Sequence, residues 1–193
     1  MAQPIPPQHA LRRFFHTLTE RSFLERLGWP DWAVVGYLSN LLAECAQADH
    51  LYPVHGATER KLVELGEMLQ EAERRCRYDS PERERDVHRQ IGDYTLVMTG
   101  LFPEGVHRRR AAPELHPDVL LDYITVGKRA YRLVAERSQE TEPHQEVRQS
   151  VSQLFRQLSA QFELCVQGLG YVKEELARLQ TARDPRLRWF LRN

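Results

Sequence analysis

Cysteine is scarce in this chain: Cys45, Cys76 and Cys165 are the only three among 193 residues. Their odd number, and the lack of any Cys-x-x-Cys pair, exclude a disulfide framework and a zinc site built mainly of thiolates. Cys45 and Cys165 sit among apolar neighbours and Cys76 at the end of an apolar helical stripe, and each reads as a small buried hydrophobe in a reducing compartment. Net charge is missing as well, because 27 Lys plus Arg balance 27 Asp plus Glu. No global field therefore draws the chain toward nucleic acid or an anionic membrane surface. No apolar run approaches the ~18 residues of a membrane span, and Met1 to Gln8 lacks the basic-then-apolar order of a signal peptide. A soluble cytoplasmic protein is expected, with no membrane role and little case for nucleic acid.

Strand signals are absent too. No segment alternates polar and apolar residues between turn signals, and no repeat of 20 to 50 residues recurs. There is no phosphate-cradling Gly-rich loop, no Gly-x-Ser-x-Gly elbow and no His-Glu-x-x-His. These gaps leave no complete catalytic set, and no catalytic residue is assigned.

What is present is helical periodicity over a composition, 41% hydrophobic and 28% charged, that suits a globular domain. Leu11, Phe14, Phe15, Leu18, Phe23, Leu24 and Leu27 predict a helix from His9, ended by Gly28 and Pro30. Asp31 caps a second helix, to about Ala48, whose opening Trp32-Ala33-Val34-Val35 is apolar on every side and predicts a central position. A third runs from Thr58 through Cys76 with an apolar face. Ser80 and Pro81 open a fourth, which Pro103 and Gly105 end; its half from Ile91 to Phe102 belongs in the core. A fifth, from Pro117 to Gln139, turns Tyr123, Gly127, Tyr131 and Val134 inward and Lys128, Arg132 and Arg137 outward. From Pro143, Val147, Val151, Leu154, Leu158, Phe162, Cys165, Leu169, Val172, Leu176 and Leu179 keep one phase. They predict one helix about 55 Å long, with Gly168 and Gly170 as points of bending.

The fold expected is all-α: a single-domain bundle of about six helices with a long C-terminal helix. It spans residues 1–193, with a flexible 1–8 and a tail, 181–193, able to form a short docking helix.

Asp93 is the sharpest candidate for chemistry, since a carboxylate inside an apolar run needs a partner. Arg89, one turn earlier, is the first choice and tyrosines of the fifth helix the second. His88 and, from the second helix, Glu44 could join Asp93 in a mixed carboxylate and imidazole cluster of the kind that suits iron, manganese or zinc. The plainer reading makes His88 and Glu44 hydrogen-bonded or solvated at the bundle edge, so no metal set is assigned and the cofactor stays open. His16 invites an analogy with haem-oxygenase-like bundles, carried by one residue alone. The run His107-Arg108-Arg109-Arg110, among prolines and without aromatic platforms, reads as a solvated loop.

The segments Ile91 to Leu96, Gly100 to Glu104, and Tyr123-Ile124 with Gly127 and Ala130-Tyr131 are similar to a functionally uncharacterised group of bacterial all-helical proteins. That resemblance implies a bacterial, helical, soluble protein and carries over no functional residue. The function expected is a non-enzymatic interaction or accessory module, acting as a homo-oligomer such as a homodimer or on another protein. The alternative is a bundle binding a small molecule, haem or metal through Asp93, His88, Glu44 and Tyr123. Far-ultraviolet circular dichroism should show a chain more than half helical with no sheet component; appreciable strand content would overturn this reading.

Overall fold

The structure, a computed structural model, describes residues 9–47, 80–104, 119–141 and 144–179. Among the described residues nearly all are helical and none is in a strand, so the chain is all-α. Helix α1 is Ala10–Arg21 and runs into a π-helical segment, Ser22–Arg26; α2 is Trp32–Gln47, α3 Pro81–Leu101, α4 Val119–Thr141, α5 Gln145–Ala160 and α6 Phe162–Leu179. Two compact units result, one of residues 1–56 with 166–193 and one of residues 57–165. The third helix expected from sequence, Cys76, the two loops that hold His50, His55 and Arg108 to Arg110, and both chain ends lie outside the described residues.

In the first unit His9 opens α1 by accepting the Leu11 amide on Nδ1 at 3.2 Å. The wider π turn then carries the chain to Gly28, whose φ of 64° only glycine adopts without strain. There the Trp29 amide donates to the Phe23 carbonyl at 3.0 Å. Asp31 caps α2 as its sequence predicts, its Oδ1 accepting the amides of Ala33 and Val34, each at 3.1 Å. Val34, Val35, Leu38 and Leu42 are fully buried. The helix is nevertheless not enclosed on all sides: Trp32 is 58% exposed. Ala33, Asn40 and Glu44 form an exposed strip, because positions seven and eleven apart share a face. Gly168 proves to be a seat for an aromatic ring: a methyl group there would collide with Phe23. Helix α6 continues through both Gly168 and Gly170.

In the second unit α3 begins at Ser80, whose carbonyl accepts the amides of Arg83 and Glu84 at 3.1 and 3.2 Å. The Ser80 side chain makes no capping bond to the helix; it pairs with the Glu82 carboxyl instead and holds it below the ordinary range. From Ile91 to Phe102 every residue is buried except the half-buried Asp93. Helices α3 and α4 run antiparallel, as Gly92 lies against the Tyr131 ring and Gly127 against Thr95. The buried hydroxyls of Thr95 and Thr99 donate within their own helix, to the Ile91 and Thr95 carbonyls, each at 2.8 Å.

Serines join α4 to α5. Ser152 donates to the Ala135 carbonyl at 3.0 Å and Ser159 to the Lys128 carbonyl at 2.8 Å. The two serines are seven residues apart and so are their acceptors, which fixes an antiparallel register. The buried face of α5 is therefore Ser152, Phe155, Leu158 and Ser159. Val147, expected inward, is 45% exposed, and Val151 and Leu154 are half-buried. The expected single long helix is also interrupted: Gln161 takes φ −109° and ψ 29° between α5 and α6. Amide bonds still cross that point, Gln161 to Gln157 at 2.8 Å and Cys165 to Gln161 at 2.9 Å, so the apolar stripe passes through a one-residue fault.

Glycine contacts separate propensity from packing. Replacing Gly127 with Ala gains up to ~1 kcal/mol of helix propensity. A methyl there would also fall inside contact distance of the Phe162 ring and the Thr95 hydroxyl, an overpacking that costs about 1–3 kcal/mol. Gly127→Ala should lower the urea midpoint. Gly36→Ala, where a methyl meets nothing within 4 Å, should raise it by the propensity gain of up to ~1 kcal/mol.

Candidate functional site

Asp93 and Tyr131 meet across α3 and α4, the phenol donating to Asp93 Oδ1 at 2.8 Å. The tyrosine of the fifth predicted helix is thus a partner of the carboxylate. Arg89, the first choice from sequence, is exposed and makes no ion pair among the described residues. Tyr123 is buried, its ring centroid 6.4 Å from that of Tyr94.

A second polar cluster lies nearer the start of α3. Arg137, expected to face outward, turns toward Glu84: its Nε lies 3.0 Å from Oε2, and Nη2 donates to Oε1 at 3.3 Å. It also donates from Nη1 to Glu140 at 3.1 Å. His88 Nε2 stands 3.9 Å from Glu84 Oε1, both side chains mostly buried. Burial drives the His88 pKa down; the Glu84 carboxylate opposes this, and Arg129 and Arg137 add to it. His88 is accordingly neutral near pH 7.

Glu44 belongs to the first unit, where it is exposed and sits 3.7 Å from Arg12 Nη2. Asp93 and His88 thus have separate neighbours on α3 and α4, and Glu44 a third set. Among the described residues no three His, Cys, Asp or Glu side chains are grouped to hold a metal ion. His16 is half-exposed beside Glu20 at 3.6 Å. Cys45 and Cys165 are buried thiols, as their apolar contexts predict.

Two concave surfaces lie along α1, where the sequence had singled out His16 alone. Residues 10, 14 and 18 form one row along the helix, and 13, 17 and 21 form the next, each in steps of four. With Leu179 of α6 these rows line a groove of about 470 Å³. On the side toward α2, a cleft of about 460 Å³ is lined by Arg12, Arg13, His16, Gly36, Ser39 and Asn40, with Thr17. The pair Arg12-Arg13 was visible as a signal, but apolar periodicity drew α1, His16 apart, to packing. No helix among the described residues is long and apolar enough to cross a membrane. Comparison with known protein families, curated proteins and solved structures finds no match, so the geometry of this chain alone carries the functional reading.

Two measurements check these assignments. Tyr131→Phe keeps the ring and removes the bond to Asp93, so it should cost about 1–2 kcal/mol. Arg89→Ala should change stability by less than ~0.5 kcal/mol; a larger loss would restore Arg89 as a structural partner. The pH dependence follows from His88. Its folded-state pKa lies below the ordinary 6.5, so the unfolded chain binds its proton first, and the contribution is full above that value and lost as pH falls through the folded pKa. The wild type should lose more stability between about pH 7 and 5 than His88→Gln does, as read by chemical denaturation.

Proposed function

We propose that the chain is a non-enzymatic interaction module that receives an amphipathic helix of another protein in the groove along α1. The observation that carries this reading is the pairing of an apolar row, Ala10, Phe14 and Leu18, with a basic one, Arg13 and Arg21 about Thr17. Eight residues of helix span about 12 Å, enough to seat two turns of a docked helix. Leu179, 39% exposed, closes the apolar side. Arg13 is exposed and has no carboxylate partner among the described residues, while Arg21 already pairs with Glu25 at 3.0 Å.

Charge selects the occupant. A second copy docking the same face would bring the basic rows together, since a two-fold contact uses one patch twice. Like charges brought face to face oppose association. The partner helix therefore carries apolar residues in steps of three and four, with acidic residues on the adjoining strip.

A photo-crosslinking residue placed at Thr17 in the producing cells would trap the occupant, and the linked peptide can be identified and synthesised. That peptide should be acidic and amphipathic, and Arg13→Glu should weaken its binding to the purified chain by roughly tenfold or more. Crosslinks only to other copies of this chain, or a peptide whose affinity is unmoved by Arg13→Glu, would overturn the proposal.

A further inference from the structure

The cleft on the other side of α1 differs in chemistry from the docking groove. Every ionisable group that lines it is basic: Arg12, Arg13 and His16. They sit within little more than one turn of α1 and face α2, whose Gly36 leaves open space where any other residue would place a side chain. Asn40 adds an exposed amide. The Ser39 hydroxyl is already given to the Gly36 carbonyl at 2.9 Å.

The carboxylates nearby do not use up these donors. Glu44 lies 3.7 Å from Arg12 and Glu20 3.6 Å from His16, beyond hydrogen-bond reach in both cases. Arg12 Nε is buried and has no hydrogen-bond partner. The groups around Arg12 thus leave its guanidinium incompletely bonded, and its side chain, 20% exposed, can meet an acceptor from the cleft side. We propose that this cleft binds the phosphate group of a small molecule.

The donor count decides for phosphate over a lone carboxylate. One guanidinium fork satisfies a carboxylate, whereas two guanidiniums, an imidazole and an amide match three oxygens and a charge near −2. A cleft of about 460 Å³ falls in the size range of small-molecule sites and leaves room for an organic portion.

The site stands apart from the docking groove except for Arg13 and Thr17, which line both. Titration of ¹⁵N-labelled protein with inorganic phosphate and with glycerol 3-phosphate, against sulfate and chloride at matched ionic strength, tests it. Saturable amide shifts confined to residues 12–17 and 36–40 are expected, with Kd below about 1 mM for the phosphates. Glycerol 3-phosphate should bind more tightly than inorganic phosphate if the organic portion is seated, and no more tightly if the cleft takes free phosphate.

Arg12→Gln should weaken binding by roughly tenfold with the spectrum otherwise intact, and Arg21→Gln, which touches only the docking groove, should leave it unchanged. Equal response to sulfate, shifts spread over the whole surface, or an affinity indifferent to Arg12→Gln would overturn the assignment. Because Arg12 does not line the docking groove, loss of phosphate binding in Arg12→Gln with retained peptide binding separates this proposal from the previous one.

Discussion

Tyr131 sets the geometry of the second unit. Its ring occupies the space a side chain at Gly92 would fill, and its centroid lies 5.6 Å from Phe155 and 6.0 Å from Phe162. Its hydroxyl, at the far end, reaches Asp93. One residue of α4 therefore touches α3, α5 and the first turn of α6. The ring supplies apolar contact in every direction and the phenol answers the carboxylate, which is why a tyrosine suits the position better than a phenylalanine. The carboxyl group of Asp93 is tolerated in an apolar stretch because it is half-buried and has this donor.

Small residues do the complementary work of letting helices approach. Gly92 on α3 admits the Tyr131 ring of α4, and Gly127 on α4 admits the Phe162 ring of α6 and the Thr95 hydroxyl of α3. Ser152 and Ser159 replace side-chain volume with hydrogen bonds to the α4 backbone. A hydroxyl that finds a carbonyl on the neighbouring helix specifies rotation and register together, because a shift of one residue would leave both serines buried and unbonded. Apolar side chains alone specify this less sharply, since several rotations bury similar areas.

That difference explains what could be read from the sequence. Helix type was legible, for periodicity and caps such as Asp31, Gly28 and Pro81 are local signals. Burial of Ile91 to Phe102 was legible for the same reason. The face of α5 was not, because the periodic apolar set that included Val147, Val151 and Leu154 competes with a serine face whose value depends on where α4 places its carbonyls. The partner of Asp93 was half legible: a tyrosine of α4 was among the candidates, but Arg89, nearer in sequence, points to solvent. The fault at Gln161 escaped because the stripe keeps its phase across it, and phase is all that periodicity records. The basic α1 surface escaped, His16 apart, because a helix with an apolar face draws attention to what it buries, and Arg12 and Arg13 lie on the faces that remain.

The two units differ in how far their polar groups are used. In the second, Arg137 is shared between Glu84 and Glu140, Lys128 binds Glu163 at 2.7 Å, and five buried hydroxyls are bonded to main-chain carbonyls. In the first, Arg26 is similarly engaged, 2.8 Å from Glu174 and stacked over Tyr171 at 3.7 Å. Along α1, however, Arg12 Nε and the fully buried hydroxyls of Thr19 and Ser22 find no acceptor. Each such group costs about 1–3 kcal/mol, and the last two stand at the passage from α-helix to π-helix. Such a turn holds one more residue than an α turn and is a frequent mark of a functional position. Stability alone gives no reason to keep three unsatisfied donors on one helix when alanine or valine would serve at two of the positions. The same helix bears the basic row and lines two concavities. Unsatisfied donors, an irregular turn and concave surface therefore coincide on α1, and that coincidence is the physical support for the binding readings proposed for it.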